Sequence, residues 1–296
     1  MHPARGILRV GLTVAAALLA VAASGPPRAA QAGTSVGKLA FSRCTLDPGL
    51  RFCASDIYVM SADGSGLRRL THGRRALQQD VDPAWSPDGT KLAFVRDTTT
   101  PSTDLRDPDV YDVYVVDADG TNERLLVSNG QTPSWSPDGR RIAFSRNGIM
   151  VVAADGRGLH RLTHKGGDPD WSPDGTKIAY MGFHINHTQL RVMNVDGTGD
   201  HVLYDHRAYS PVWAPDGRRI AFIDWSGMRL VDPSGQNLEL VKPGEVYTPA
   251  WSPDGRRIAY AVWDDGLYVM RRDGSDPQKV PRTGKRDSEP DWSAGG

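Results

Sequence analysis

The sequence predicts an all-β fold, a closed ring of six four-stranded antiparallel blades, and two repeated turn signals carry this prediction. The segment "WSPDG", written "WAPDG" once, occurs five times, and each copy precedes a short β-type run such as "KLAF" or "RIAF". A second signal, usually "DG", follows the third run of each unit. Four short strands in a repeat of about 40 residues are typical of a propeller blade.

Each turn signal has a conformational reason. In "SPDG", Pro presets φ at the second turn position, Asp is accommodated at the third, and Gly supplies a positive φ at the end. The runs between the turns are rich in β-branched and aromatic residues and show no helical period. The abundant Gly and Pro therefore mark turns rather than disorder.

A final half repeat predicts how the ring closes. The first unit starts at Gly37 with "KLAFSR" and lacks a leading "xPxWSPDG", and Glu289 to Ser293 supply that piece. A propeller closes when its C-terminal strand completes blade one, which leaves only short sheet edges. We therefore assign the propeller to residues 37–293 and a tail to 294–296. We expect the repeated tryptophans to pack between blades: Trp85, Trp135, Trp171, Trp213, Trp251 and Trp292.

These motifs resemble the propeller repeats of the TolB family, which also occur in the prolyl oligopeptidase clan. The resemblance covers residues 37–293, where "WSPDG", "IAF", "YVM", "DG" and "LT" recur in order. It implies a six-bladed, exported binding protein. We expect the propeller only, without the α/β domain that precedes it in the TolB family and without a peptidase domain.

The first 32 residues predict a signal peptide. Arg5 and Arg9 precede an apolar run over 10–23, and residues 30–32 form an A-x-A cleavage site. The run is shorter than the roughly 20 residues of a spanning helix. An earlier cut or an uncleaved anchor are the alternatives. We expect an exported protein, periplasmic, associated with the cell envelope or secreted, with no stable membrane span after cleavage.

The charge balance excludes one class of partner. Lys and Arg number 35, and so do Asp and Glu, so the chain has no general attraction for nucleic acid or anionic membranes. We expect a monomer that binds a protein and no nucleic acid. The alternatives are a propeller enzyme of the lactonase or hydrolase type with a channel metal site, and an envelope protein without a ligand.

The two faces of the ring differ in their connections. The tight turns join strands one to two and three to four, so they share one face of the disc, which we call the turn face. The connections between strands two and three and between blades lie on the opposite, variable face. Variable loops on a rigid scaffold are common binding sites, although solvated loops also vary without function.

Four aromatic residues outside the core repeat predict a partner site on the variable face of blades five and six. Aromatic side chains dominate the energetics of many interfaces, although local packing between loops is an alternative. Nearby acids are expected to form a charged rim that favours a basic partner. The predicted site consists of Tyr209, Trp225, Tyr247 and Trp263, with Asp224, Asp264 and Asp265 as the rim.

The residue before the Pro of each inner strand is expected at the mouth of the central channel. This ring of acids and hydroxyls suits a cation, water or a basic group of a partner, or it serves only as turn chemistry. It contains neither Asn nor His, which favours binding over metal-dependent catalysis, and we predict no catalytic residue. The six residues are Asp82, Thr132, Asp168, Ser210, Thr248 and Glu289.

Two loops on the variable face offer incomplete metal sites. His184 and His187 are half of a zinc ligand set. The long insertion of blade two is acidic, but its spacing does not match a Ca²⁺-binding loop. We therefore predict no resident cofactor or metal, with a bound Ca²⁺ as the alternative. The acids of the insertion are Asp97, Asp104, Asp107, Asp109 and Asp112.

The two cysteines generate the first testable prediction. Cys44 and Cys53 lie in one loop of a chain with an export signal, and an oxidising compartment favours a disulfide between them. The bond is expected to stabilise the blade-one loop by roughly 2–3 kcal/mol, because the loop it closes is short. Thiol titration of exported, native protein should detect no free thiol, and two titratable thiols would contradict the prediction.

Overall fold

The computed structural model describes residues 37–46, 53–73, 78–98 and 110–293. The predicted signal peptide, the C-terminal tail and most of the acidic insertion lie outside these ranges. The described residues form six four-stranded antiparallel sheets and no helix, so the predicted six-bladed propeller is confirmed. None of the described segments is an apolar helix long enough to cross a membrane.

The strands are numbered β1 to β24 along the chain, and each blade runs from an inner to an outer strand. The inner strands are β4 (Asp80–Trp85), β8 (Gln131–Trp135), β12 (Gly167–Trp171), β16 (Tyr209–Trp213), β20 (Val246–Trp251) and β24 (Asp287–Trp292). The second strands are β1 (Lys38–Leu46), β5 (Lys91–Asp97), β9 (Arg141–Ser145), β13 (Lys177–Phe183), β17 (Ile220–Asp224) and β21 (Arg257–Val262).

The outer half of each blade completes the sheet. The third strands are β2 (Cys53–Ser61), β6 (Tyr111–Asp117), β10 (Ile149–Ala153), β14 (Thr188–Asn194), β18 (Gly227–Val231) and β22 (Gly266–Arg271). The outer strands are β3 (Arg68–Arg69), β7 (Arg124–Val127), β11 (His160–Arg161), β15 (His201–Tyr204), β19 (Glu239–Pro243) and β23 (Gln278–Lys279).

The C-terminal strand completes blade one, as the half repeat predicts. The sheet order is β24-β1-β2-β3, and Leu39 of β1 lies opposite Trp292 of β24. The Ser293 amide donates to the Lys38 carbonyl at 2.8 Å, and the Lys38 amide donates to Ser293 Oγ at 2.9 Å. These bonds join the two ends of the ring.

The hydrophobic core is divided into six clusters, one at each seam between neighbouring blades. Every cluster contains the Trp of one inner strand together with residues of the preceding blade. At the closing seam, Trp292 packs in one cluster with Ala259 and Leu267 of blade six. The repeated Trp is buried in all six blades, which confirms its predicted role between blades.

Three outer strands, β3, β11 and β23, are shorter than the sequence pattern suggests, with two residues each. In the run "LRRLT" of blade one, only Arg68 and Arg69 pair with β2. The next two residues turn inward, because Leu70 is buried and Thr71 Oγ1 accepts the Ile57 amide hydrogen at 3.0 Å. Short outer strands leave little unpaired edge for association with another chain.

The tight turns have the conformation that their residues predict. In the first "SPDG" turn, the Gly89 amide donates to the Ser86 carbonyl at 2.8 Å, and Gly89 has a φ of 67°. The Ser86 hydroxyl donates to Asp88 Oδ1 at 2.6 Å. The antiparallel strand order places these turns on the turn face and the longer connections on the variable face.

The backbone pairing of blade one brings the two cysteines into the same hairpin. Cys44 lies opposite Ser55, and Cys53 lies opposite Leu46. The Cys53 side chain lies outside the part of the chain that the structure describes, so the disulfide stays a prediction.

The closing strand generates a stability prediction. Deleting residues 289–296 removes Trp292 and most of β24, which exposes the edge of β1. A large fall in melting temperature or aggregation is expected, because truncating a buried Trp costs roughly 3–5 kcal/mol and the open edge invites association. Circular dichroism melting measures the effect. Deleting only 294–296 is the control, and an unchanged melt of the longer truncation would contradict closure by Trp292.

Candidate functional site

The six residues predicted at the channel mouth line one cavity of about 330 Å³ at the centre of the ring. Each precedes the Pro of an inner strand, so the ring symmetry brings all six together. Each also lies at a register shift of its strand, with φ between 46° and 53°. Because this strained conformation recurs with different side chains, it belongs to the blade architecture rather than to a single site.

The acids of the mouth connect neighbouring blades. Glu289 Oε2 accepts the Asp82 amide hydrogen at 3.0 Å, and the Asp82 carboxylate in turn accepts the amide hydrogen of Thr132. Asp168 Oδ2 accepts the amide hydrogen of Ser210 at 3.3 Å. The second oxygens of Glu289 and Asp168 accept no hydrogen bond from the residues that the structure describes. These carboxylates are therefore structural and still able to accept from a ligand.

A second pair of acids lies deeper in the channel, at the position after the Pro. Asp170 accepts the Trp213 amide hydrogen at 2.7 Å and the Ser134 hydroxyl at 3.1 Å. Asp291 accepts the Trp85 amide hydrogen at 2.6 Å. Both line the same cavity as the mouth residues. The sequence reasoning missed them, although the alternation of the "x-P-x-W" segment places this position on the channel side as well.

Burial makes the channel carboxyls harder to ionise. It raises the pKa of Asp170 to about 7 and the pKa of Asp291 to about 6. Burial also raises the pKa of Asp168. The pKa of Asp82 lies well above its ordinary value, first because of burial and then because of the charges of Glu289 and Asp168. A cationic group placed among these carboxyls would favour their ionised forms.

The channel mouth is continuous with a groove between blades three and four. Thr132 and Asp168 line both the channel and this groove, which encloses about 390 Å³. Gln131, Asn147 and Phe183 are among its other lining residues. An extended ligand segment that enters the channel thus has an adjoining polar surface to lie on.

The four predicted aromatics are solvent-exposed, but the structure does not join them in one stack. The exposed fraction is 83% for Trp225 and 78% for Trp263, against 40% for Tyr209 and 42% for Tyr247. Tyr247 and Trp263 form an edge-to-face pair with ring centroids 6.4 Å apart. Trp225 instead lines a separate groove with residues of the link between blades four and five. The aromatic surface therefore has two parts.

The predicted acidic rim differs from the expectation at all three positions. Asp224 is buried, where it pairs with Arg229 and accepts the Tyr204 hydroxyl at 2.9 Å. The Asp224 carboxylate therefore stabilises the loop that carries Trp225 and does not face a partner. Asp264 pairs with Lys285 at 3.1 Å, and Asp265 pairs with Lys279. These lysines compensate the rim charge, so the rim alone does not favour a basic partner.

Two exposed apolar residues on the same face escaped the sequence reasoning. Phe183, the last residue of β13, is 53% exposed, and Ile185, in the connection between β13 and β14, is 89% exposed. The signal was present in "GFHINHT", where apolar and polar residues mix at the end of β13 and in the connection that follows it. Together with Trp225 and Trp263, they add exposed apolar side chains to the variable face of blades four to six.

The structure describes some of the predicted metal-ligand candidates and not others. The rings of His184 and His187 lie with centroids 4.8 Å apart, and His187 Nε2 is 2.9 Å from Asp205 Oδ1. Within the described ranges, no group of three or more His, Cys, Asp or Glu side chains is arranged to hold a metal ion. The insertion residues Asp104, Asp107 and Asp109 lie outside the described residues.

The raised pKa of Asp170 generates a pH prediction. A folded pKa of about 7 against an unfolded value of about 3.9 means that the native state binds more protons between these values. The contribution of Asp170 to the free energy of unfolding therefore falls as pH rises through this window and is constant above it. In Asp170→Asn, the stability lost between about pH 5 and about pH 8 should be smaller by roughly 2–3 kcal/mol.

Urea unfolding at both pH values measures this difference. Asp138→Asn is the matched control, since hydrogen bonds from Ser136 and Arg140 lower the pKa of this turn carboxyl and place its titration below the window. A pH dependence of Asp170→Asn equal to that of the wild type would show that Asp170 ionises as an ordinary carboxyl.

Comparison with known proteins gives the fold a context. The sequence matches no protein-family model and no curated protein. TolB from Acinetobacter baumannii is similar with a TM-score of 0.72 and 22% identity, over 88% of this chain and 67% of that chain. A chain of the nidogen–laminin complex has a TM-score of 0.68 and 10% identity, over 86% of this chain and 98% of that chain.

A third similar structure is an enzyme. Oligogalacturonate lyase from Vibrio parahaemolyticus has a TM-score of 0.51 and 14% identity, over 76% of this chain and 71% of that chain. At such identities the likeness concerns the fold. The chain has a TolB-like six-bladed β-propeller fold.

Proposed function

We propose that this protein is an exported propeller that binds a protein partner on its variable face, in the cell envelope or the extracellular space. The observation that carries the proposal is the coincidence of two features on that face. Exposed aromatic and aliphatic side chains of blades four to six supply apolar contact area, and the acidic channel mouth lies beside them. Buried aromatic anchors and charge complementarity are the usual sources of affinity and orientation in protein interfaces.

The channel supplies the polar part of this interface. The free oxygens of Glu289 and Asp168 accept a basic side chain of the partner. The hydroxyl of Thr248 supports this role, because Oγ1 is buried in the channel wall and has no partner among the described residues. The cavity of about 330 Å³ is large enough for one long side chain rather than for a folded element.

The structural relatives are compatible with this function. A chain of similar fold belongs to the nidogen–laminin complex. The alternative, a propeller enzyme with a metal in its channel, has support only from the fold of the lyase. Metal titration of the purified chain, with an esterase and lactonase screen, separates the two functions.

The aromatic surface generates an interface prediction. Replacing Trp225 and Trp263 together with Ala should weaken the partner's affinity by at least about 2 kcal/mol if they are anchors. The fold should be unaffected because both side chains are exposed. The measurement is capture of the partner from envelope extract by immobilised protein, followed by a binding titration with the purified partner.

The control replaces two exposed leucines of the turn-face side, Leu159→Ala with Leu238→Ala, which should leave binding unchanged. Asp82→Asn with Glu289→Gln tests the channel separately, because the amide oxygens still accept the amide hydrogens of the next blade. Wild-type binding by the double Trp variant would contradict the proposed surface.

A further inference from the structure

A groove on the variable face between blades four and five has a chemistry opposite to that of the channel. It encloses about 350 Å³ and is lined by His187, His206, Arg207 and Trp225. We call it the basic groove. Its residues come from the connection between β13 and β14, the link between the two blades, and the connection between β17 and β18. Three separate segments thus build one concave surface.

The guanidinium of Arg207 is not paired with the acid beside the groove. Asp205 is the acid beside it, and this carboxylate already bonds to His187 Nε2 at 2.9 Å and to the side-chain amide of Gln189. Arg207 is exposed, and no ion pair or hydrogen bond connects its guanidinium to any residue in the described ranges. An exposed guanidinium is weakly hydrated and presents a planar fork of donors that matches a carboxylate.

The walls of the groove are aromatic. The Trp225 indole is 83% exposed. The His206 ring makes an edge contact with the Tyr204 ring, with centroids 5.2 Å apart. This contact places the His206 ring at one side of the groove. A ligand that fits this combination carries an anionic group next to an apolar one, the first for Arg207 and the second for the indole.

We propose that the basic groove binds an acidic side chain of the protein partner, with a neighbouring apolar side chain on Trp225. This inference rests on the proposed function and names the partner's chemistry at that surface. The acidic channel takes a basic group and the basic groove takes an acidic one. A partner segment that carries both signs is therefore oriented in one direction across the variable face.

Two capped peptides test the groove on the full chain. The first is acetyl-Gly-Glu-Leu-Glu-Gly-amide, and the second has Gln in place of both Glu. Binding is followed by NMR through the indole N–H signal of Trp225, which the Trp225→Phe variant assigns. The Glu peptide should shift this signal, and the Gln peptide should not. Arg207→Gln should weaken binding of the Glu peptide by about tenfold, the usual size of a charge-assisted contact.

The matched control is Arg218→Gln, an exposed arginine on the turn face, which should bind the Glu peptide as the wild type does. Equal binding of both peptides, unchanged affinity in Arg207→Gln, or no shift at millimolar peptide would each overturn the inference. Displacement of the Glu peptide by inorganic phosphate at far lower concentration would also overturn it, in favour of a phosphate site. If the Glu peptide does not bind but the immobilised protein still captures a partner, only the groove assignment is overturned. If the Glu peptide binds as expected but no partner is captured, only the proposed function is overturned.

Discussion

The packing of one tryptophan at each seam is the contact on which the whole ring depends. A single blade is a thin sheet whose two faces are both apolar, so it is stable only between two neighbours. The Trp of each inner strand fills the space against the preceding blade, and the six seam clusters together make up the core. Loss of one seam therefore exposes the faces of two blades at once.

The channel acids follow from the same arrangement. At a seam with a carboxylate, an oxygen accepts an amide hydrogen from the next inner strand, as Glu289 does from Asp82 and Asp170 does from Trp213. The carboxylates are thus fixed in position before any ligand arrives. A partner's basic group would meet preorganised acceptors and would not have to order them, which reduces the entropic cost of binding.

The sequence predicts most of the fold because the same turn residues and the same packing residues recur from one repeat to the next. The channel mouth was also predictable, since its residues occupy one position of the repeat. Asp224 was not, because its burial depends on Arg229 and Tyr204 across the loop and not on its own segment. The division of the aromatic surface into two parts could not be predicted from the sequence either, because it depends on where three non-repeating connections meet in space.

The bond between Lys38 and Ser293 spans 255 positions of the chain, and this has a consequence for how the molecule is made. The hairpin of β1 and β2 is synthesised first, yet its inner neighbour is the last strand to appear. Until then the inner edge of β1 has no partner, so the ring closes only when all strands from β1 to β24 are available. Contacts so distant in sequence form slowly, so closure of the ring is expected to be a late step of folding.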